Sequence, residues 1–230
     1  MSQKVVVLQP SFLPWLGYLD QYAWCDQFVI YDDVQYDKHG WRNRNRILTG
    51  QGPSWLTVPV RVKGQDFPLI CEVEVDGLAW RRKHLQSIRQ AYSKAPHFDW
   101  LFAQVEDYYA NEWAKLLDWN VHGLRFLAKA LGMPWKGRLS SDLGVPGRKT
   151  ERLVGICRLL QATDYLTGDA AREYLDETQF AALGIRVHWH GYAHPVYRQR
   201  GKDFTPYLSV LDLMFWHGPG SFEILWQTGK

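Results

Sequence analysis

The sequence is poor in cysteine, and this excludes two kinds of structural module. Its three cysteines, Cys25, Cys71 and Cys157, lie far apart, and none belongs to a Cys-x-x-Cys pair. A disulfide framework needs paired cysteines, and a zinc knuckle needs closely spaced ligands. We therefore predict free thiols in place of either module.

Long apolar runs are also missing. No segment approaches the roughly 20 consecutive apolar residues that a membrane-spanning helix needs. The first four residues lead directly into a strand-like run instead of a signal peptide. A net charge of only +3 does not favour nucleic acid as a partner, although a local basic cluster can still bind phosphate. We predict a cytoplasmic protein without a membrane span.

Aromatic residues, in contrast, are abundant. The chain has twelve Trp, twelve Tyr and ten Phe among its 230 residues. Large aromatic side chains fill protein cores first, and those that remain exposed can stack on a ligand. We expect most of them to be structural and a minority to be available for binding.

The start of the chain has the pattern of a strand, a helix and a second strand. Residues 5–8 and 28–31 are short apolar runs, and residues 17–25 place apolar side chains at helical spacing between them. Two strands joined by so short a helical crossover form a parallel βαβ unit. We predict that these strands are neighbours in a mostly parallel sheet.

Three further regions follow this unit. Residues 55–60 and 70–75 have the pattern of a hairpin, residues 78–132 are mainly helical, and residues 139–189 return to alternating strands and helices. No repeat or linker-like composition divides the sequence. We predict a single domain over residues 1–230 of the α/β class, Rossmann-like, with a mostly parallel sheet, a helical insertion and a hairpin excursion.

A loop rich in proline, glycine and aromatic residues follows the first strand. Its sequence is Gln9-Pro10-Ser11-Phe12-Leu13-Pro14-Trp15-Leu16-Gly17-Tyr18. At the carboxyl edge of a parallel sheet, the free N–H groups of a helix start and a small glycine let a phosphate approach. We predict ligand contacts from Gln9, Pro10, Trp15 and Gly17. The alternative is a structural turn that packs over the sheet edge.

Two adjacent carboxylates follow the second strand, at the same predicted edge. Because neighbouring residues of a strand point to opposite faces, we expect only one of Asp32 and Asp33 to enter the site. That carboxylate can bind magnesium through water, orient a ribose or an amine, or act as a base; a solvated turn is the alternative. We count both aspartates and Tyr18 as candidate catalytic residues, and Tyr36 as a ligand-binding candidate.

Three arginines alternate with asparagines in the segment Arg42-Asn43-Arg44-Asn45-Arg46. In an extended chain this period of two aligns the three guanidiniums on one face. Guanidiniums bind phosphate or carboxylate through two parallel hydrogen bonds. We predict that Arg42, Asn43, Arg44 and Arg46 bind a phosphorylated ligand and that the arginines point toward the first loop. The alternative is a solvated charged strand.

Two further groups lie near the end of the chain. Tyr197 and Gln199 alternate with Arg198 as in a strand, so both are ligand-binding candidates. His188 and His190 would share a strand face, but no carboxylate or cysteine is spaced to complete a ligand set with them. We therefore predict no metal site from these histidines.

Together these motifs resemble the WbqC-like family of bacterial cell-surface polysaccharide gene clusters. The resemblance covers nearly the whole chain, because residues 9–18, 31–36, 41–47, 92–96, 140–141, 165–168 and 204–213 all fit it. It implies a role in O-antigen or related polysaccharide biosynthesis, with glycyl or other acyl transfer to an amino-sugar nucleotide among the associated activities. Because residues 140–141 fit the family, Ser140 and Ser141 join the ligand-binding candidates.

The first loop also resembles the phosphate loop of HIGH-type nucleotidyltransferases and pantothenate synthetases. Those proteins have His-x-Gly-His at the helix start, whereas this chain has Trp15-Leu16-Gly17-Tyr18. Both imidazoles that would stabilise charge on a transferred phosphate are therefore replaced. The resemblance is compatible with ATP and magnesium as cofactors, and with a sugar nucleotide or another phosphate-bearing small molecule as the ligand.

Two functions from different classes remain open. One is a nucleotide-dependent acyl or aminoacyl transferase that acts on an amino-sugar nucleotide, which gives the loop, the arginines and a carboxylate each a role. The other is a non-catalytic protein that binds a sugar nucleotide or nucleic-acid phosphates through the arginines and exposed tryptophans.

Overall fold

A computed structural model describes residues 2–38, 40–62 and 68–227. The strands are β1 Lys4–Leu8, β2 Gln27–Ile30, β3 Arg44–Thr49, β4 Gly52–Thr57, β5 Val60–Arg61, β6 Glu74–Val75, β7 Gly137–Leu139, β8 Asp164–Thr167 and β9 Arg186–Trp189. The helices are α1 Leu16–Trp24, α2 Trp80–Tyr92, α3 Phe98–Tyr109, α4 Leu116–Ala130, α5 Ser140–Leu143, α6 Lys149–Leu159, α7 Glu177–Ala181, α8 Val210–His217 and α9 Ser221–Leu225.

Five of these strands form a parallel sheet in the order β7-β2-β1-β8-β9. Strand β1 pairs with β2 on one side and with β8 on the other. The chain adds β2 and then β7 on one side of β1, and it later adds β8 and β9 on the other side. The winding therefore reverses between β1 and β8. The α/β class, the Rossmann-like sheet and the parallel pairing of the first two strands are confirmed.

Both faces of the sheet are covered by apolar side chains. Val6 belongs to the larger core cluster, which includes residues of α1 to α4. Val5 and Val7 point the other way and pack with Leu153 and Ile156 of α6. A strand buried on both faces needs an apolar residue at every position, which explains the uninterrupted run of valines.

The hairpin excursion follows β2, but its strands differ from the predicted ones. Strand β3 pairs antiparallel with β4, and β5 pairs with β6. The predicted strand at 55–60 is interrupted because Pro59 has no N–H to donate to a ladder. The predicted strand at 70–75 begins as the 3₁₀ turn Ile70–Glu72, and only Glu74–Val75 is extended. The hairpin prediction is confirmed, whereas its strand boundaries are wrong.

The helical insertion consists of α2, α3 and α4, close to the predicted span of 78–132. Its aromatic side chains Tyr92, Tyr109 and Trp119 are fully buried, and they join the larger core cluster. The three cysteines are free thiols, as predicted. In the part of the chain that the structure describes, every helix is too short or too polar to cross a membrane.

Candidate functional site

A cavity of about 450 Å³ opens at the carboxyl edge of the sheet, where the winding reverses. Leu8 at the end of β1 and Thr167 at the end of β8 line it. Helix α1 and the loop before it contribute one part of the wall, and the start of α6 contributes another. Ligands of open α/β sheets bind in this crevice, so the cavity is the candidate site.

Four residues predicted from the sequence line this cavity, namely Gln9, Trp15, Tyr18 and Arg42. Tyr18 lies in the first turn of α1 and is buried. Burial raises the pKa of its phenol far above the ordinary value, although the positive charge of Arg42 acts in the opposite direction. Tyr18 therefore stays protonated near neutral pH and is suited to donate a hydrogen bond, which argues against a role as general base.

Of the three arginines predicted to bind a ligand, Arg42 is among the described residues that line the cavity. Its backbone carbonyl accepts a hydrogen bond from Asn120 Nδ2 at 2.9 Å. Its Nε lies 3.4 Å from Asp37 Oδ1, yet makes no hydrogen bond among the described residues. Burial lowers the pKa of Arg42, and Asp37 only partly opposes this. An anion with two oxygen acceptors would compensate such a desolvated guanidinium.

Lys149 is a second cation of the cavity, and the sequence analysis missed it. It is the first residue of α6 and follows Gly147, whose φ is 101°. The start of a helix carries partial positive charge, which adds to the charge of the lysine. Glycine followed by basic residues at a helix start, in Gly147-Arg148-Lys149-Thr150, is the signal that could have revealed it.

Aromatic side chains form much of the remaining wall. Tyr31, Trp41, Tyr165 and Tyr174 line the cavity, and Trp41 is 37% exposed. Among the described lining residues, none is Asp or Glu. Two cations and several aromatic rings without a carboxylate complement an anion that carries a flat ring. None of these four residues was among the ligand-binding residues predicted from the sequence.

Asp32 and Asp33 follow β2, but neither belongs to the described lining of the cavity. Asp32 is fully buried and accepts hydrogen bonds from the Ser140 hydroxyl at 3.0 Å, the Ser141 hydroxyl at 2.7 Å and the Ser141 N–H at 3.0 Å. Asp33 pairs with Arg152 and also contacts the Ser140 hydroxyl. Because protein donors occupy these carboxylates, they do not fit a magnesium site.

Pro10, Gly17 and Tyr36 are buried beside the cavity and are not among its described lining residues. A Cβ atom on Gly17 would lie 2.3 Å from the Trp15 ring. The Trp15 ring therefore leaves no room for a side chain at residue 17. Burial raises the pKa of Tyr36 to about 12, so this phenol also stays protonated.

In the structure, the asparagines and the arginines of this segment make different contacts. Asn43 and Asn45 are buried, and their amides donate to backbone carbonyls. The Arg44 and Arg46 guanidiniums lie 4.4 and 5.7 Å from the ring centre of Trp55. Neither of these two arginines is among the described lining residues, so the structure places only Arg42 at the cavity, and the ligand contacts of Arg44 and Arg46 stay a prediction.

Tyr197 and Gln199 lie in a separate polar network. The Tyr197 and Tyr92 hydroxyls donate to the carboxylate of Asp212 at 3.1 and 2.9 Å. Gln199 exchanges hydrogen bonds of 2.9 and 2.8 Å with the backbone of Thr205. Desolvation raises the pKa of the fully buried Asp212 to about 6. The described lining of the cavity does not include these residues.

The histidines near the end of the chain contact different carboxylates. His188 Nε2 lies 2.8 Å from Asp164 Oδ1, and His190 Nε2 lies 2.8 Å from Asp20 Oδ2. Within residues 2–38, 40–62 and 68–227, no three His, Cys, Asp or Glu side chains are grouped so that they could hold a metal ion. The first contact joins β9 to the start of β8, and the second joins the residue that follows β9 to α1.

The fold and the cavity define an α/β protein with a cationic crevice at the switch point of a Rossmann-like sheet. A sequence model of the WbqC-like protein family matches residues 9–224. The chain therefore belongs to the WbqC-like protein family, as its motifs indicated.

A relative from Mycobacterium tuberculosis (strain ATCC 25618 / H37Rv), named Uncharacterized protein Rv1507c, is 41% identical over 218 residues. The alignment covers 93% of this chain and 93% of the relative. No solved structure matches the chain significantly. These comparisons establish the family, and the activity has to be inferred from the site.

Proposed function

We propose that this protein is a nucleotide-dependent acyl or aminoacyl transferase, of the glycyl type, that acts on an amino-sugar nucleotide in cell-surface polysaccharide biosynthesis. In this proposal the crevice cavity binds the nucleotide. The supporting observation is a cavity with two cations, aromatic walls and no carboxylate among its described lining residues.

The position and size of the cavity support nucleotide binding. It lies at the point where the sheet reverses its winding, which is where doubly wound α/β proteins bind nucleotides. Its volume of about 450 Å³ falls within the range of about 300–1,000 Å³ that is typical of small-molecule sites. A sugar nucleotide could place its nucleotide inside and its sugar toward solvent.

The charges in the cavity favour a diphosphate. Arg42 and Lys149 are cations, and Tyr18 is a protonated phenol that can donate to a phosphate oxygen. A guanidinium makes two parallel hydrogen bonds to phosphate, and an ammonium adds a point charge. ATP would fit the same groups, whereas the engaged carboxylates of Asp32 and Asp33 give no support to a magnesium site there.

The proposed transfer forms an amide on the sugar. The sugar amine forms a C–N bond to an activated acyl carbonyl, and the bond from that carbonyl to its leaving group breaks with its electron pair on the leaving group. The proton that the amine loses passes to the departing group. The cavity residues would hold the nucleotide so that the amine meets the acyl group in one orientation. Asp32 and Asp33 would act indirectly, by fixing the adjacent strand ends through Ser140, Ser141 and Arg152.

Calorimetric titration of the wild-type protein with a UDP-linked amino sugar, a TDP-linked amino sugar and ATP tests nucleotide binding. We expect Arg42→Ala to weaken binding of the preferred nucleotide about tenfold or more, because a charge-assisted hydrogen bond contributes about 1.5–3 kcal/mol. The matched control is Arg44→Ala on the same segment, because Arg44 stacks on Trp55 outside the cavity.

Binding by the wild type, loss in Arg42→Ala and retention in Arg44→Ala would support the nucleotide site. A transfer assay with an activated acyl donor then tests the activity itself. If none of the nucleotides binds to the wild type, or if Arg42→Ala binds as tightly as the wild type, the proposal is wrong.

One observation favours the second class, a non-catalytic protein that binds phosphate backbones. Trp41 and Trp55 are 37% and 45% exposed, their ring centres are 5.4 Å apart, and the Arg44 and Arg46 guanidiniums lie over Trp55. Exposed aromatic rings with arginines can stack bases and contact phosphates. Oligonucleotide binding that is lost in Trp55→Ala, without binding of any sugar nucleotide, would favour this class.

A further inference from the structure

Gln21 is a cavity residue whose hydrogen-bonding capacity is only partly used. It lies on α1, lines the cavity and is 5% exposed. Its side-chain oxygen Oε1 is buried and accepts no hydrogen bond from the residues that the structure describes. A buried acceptor without a donor costs free energy and is uncommon in folded proteins. Its position beside a cavity suggests that a ligand supplies the donor.

The helix itself sets the orientation of the Gln21 amide. Its Nε2 donates to the backbone carbonyl of Gly17, one turn earlier, at 3.3 Å. If the amide were turned over, Oε1 would face that carbonyl, and two acceptors would repel each other. The helix therefore fixes which end of the Gln21 amide is left without a partner, and that end is the acceptor Oε1.

Gln21 also lies next to the anion-binding part of the cavity. Tyr18 and Gln21 are three residues apart on α1, so their side chains are neighbours on one face of the helix. Both line the cavity together with Arg42. A ligand whose phosphates contact Arg42 and Tyr18 would therefore bring the atoms beside its phosphates near Gln21.

We infer that Gln21 is a specificity-determining residue that accepts a hydrogen bond from an N–H or O–H group of the nucleoside part of the ligand. This inference rests on the proposed function, because it requires a nucleoside diphosphate in the cavity. The donor is a base N–H or a ribose hydroxyl. Phosphate oxygens are acceptors at neutral pH and do not satisfy Gln21.

Isothermal titration with UDP and inorganic pyrophosphate separates nucleoside recognition from phosphate binding. Gln21→Met removes the acceptor with little change in side-chain volume. We expect this variant to bind UDP about tenfold more weakly, since it loses a buried hydrogen bond, and to bind pyrophosphate as the wild type does. The matched control is Gln104→Met on α3, because Gln104 makes the equivalent bond to the Trp100 carbonyl at 2.9 Å outside this cavity.

Three UDP analogues identify the donor on the wild-type protein, independently of how the variant folds. N3-methyl-UDP lacks the base N–H, and 2′-deoxy-UDP and 3′-deoxy-UDP each lack one ribose hydroxyl. We expect one of them to bind about tenfold more weakly than UDP, with no further loss in Gln21→Met.

The possible failures are distinguishable. Equal UDP affinity in wild type and Gln21→Met, or an equal loss for UDP and pyrophosphate, overturns the inference and leaves the proposed function standing. Equal binding of UDP and all three analogues also overturns it. If the wild type binds neither UDP nor pyrophosphate, the inference is overturned, and the proposed function is wrong as well if the TDP-linked amino sugar and ATP also fail to bind.

Discussion

Arg152 and Arg42 are two largely buried arginines near the carboxyl edge of the same sheet. Arg152 pairs with Asp33 after β2, and their side chains are 11% and 20% exposed. Arg42 lines the cavity and is 15% exposed, but Asp37, 3.4 Å away, is 52% exposed. One arginine has a buried counterion, whereas the other has a carboxylate that remains largely in water.

The pKa values of the two guanidiniums shift in opposite directions. Desolvation disfavours the charge of both. At Arg152 desolvation is the largest single effect, but the hydrogen bond and charge of Asp33 together with Tyr31 outweigh it and raise the pKa. At Arg42 neither Asp37 nor the nearby tyrosines outweigh desolvation, and the pKa is lowered. The burial of the counterion, and not the presence of arginine, therefore distinguishes a site prepared for an external anion from one that the protein has already filled.

The largest expected effect comes from breaking the ion pair between Asp33 and Arg152. Asp33→Ala leaves Arg152 buried without its counterion, so we expect the free energy of unfolding to fall by about 3–5 kcal/mol. Urea denaturation followed by circular dichroism measures this loss. Nucleotide affinity of the folded variant should stay within about twofold, because Asp33 is not among the described lining residues.

Asp33→Asn is the matched control, because it keeps the shape of the side chain and can still accept one hydrogen bond. We expect a smaller loss of stability than in Asp33→Ala. If Asp33→Ala is as stable as the wild type but loses transfer activity, Asp33 acts in catalysis, as its position after β2 first indicated.

Asp212 is a buried acid of another kind, because tyrosine hydroxyls replace the cation as its partners. Desolvation raises the pKa of Asp212 from 3.8 to about 6, although hydrogen bonds from Tyr92 and Tyr197 lower it in part. The folded state therefore holds the proton more tightly than the unfolded state. The contribution of Asp212 to stability is greatest below about pH 4 and falls by about 3 kcal/mol as the pH rises through 6.

Asp212→Asn isolates this pH dependence, because asparagine carries no charge at any pH in the window. The free energy of unfolding of the variant minus that of the wild type should increase by about 3 kcal/mol between pH 4 and pH 7. Denaturation curves at several pH values measure the difference. A difference that stays constant with pH would mean that Asp212 is not desolvated as the structure indicates.

Much of the fold follows from local patterns in the sequence. The valines of β1 and the short helical crossover predicted a parallel pair because both signals lie within about thirty residues of each other. The strand boundaries of the excursion were wrong because short extended segments depend on partners and on the break at Pro59. The pairing of β3 with β4 also needed the turn before Gly52, whose φ is 103°.

The candidate site was less predictable, because its composition depends on contacts between distant segments. Arg42, Arg44 and Arg46 have the same spacing and chemistry, yet only Arg42 is among the described lining residues, whereas the guanidiniums of Arg44 and Arg46 lie over the ring of Trp55. Lys149 enters the cavity from α6, more than one hundred residues from the first loop. Asp32 and Asp33 were expected at the site, but their engagement by Ser140, Ser141 and Arg152 is a long-range feature that no local pattern contains.

The smallest expected effect comes from removing the negative charge beside Arg42. Asp37 is half-exposed and competes with an external anion for Arg42, so Asp37→Asn should increase pyrophosphate affinity about two- to threefold at low salt. The gain should shrink at high salt, because exposed charges are screened. Stability should change by less than about 0.5 kcal/mol, in contrast to the loss expected for Asp33→Ala. Titrations at two salt concentrations test this, and unchanged affinity at low salt would mean that the anion does not use Arg42.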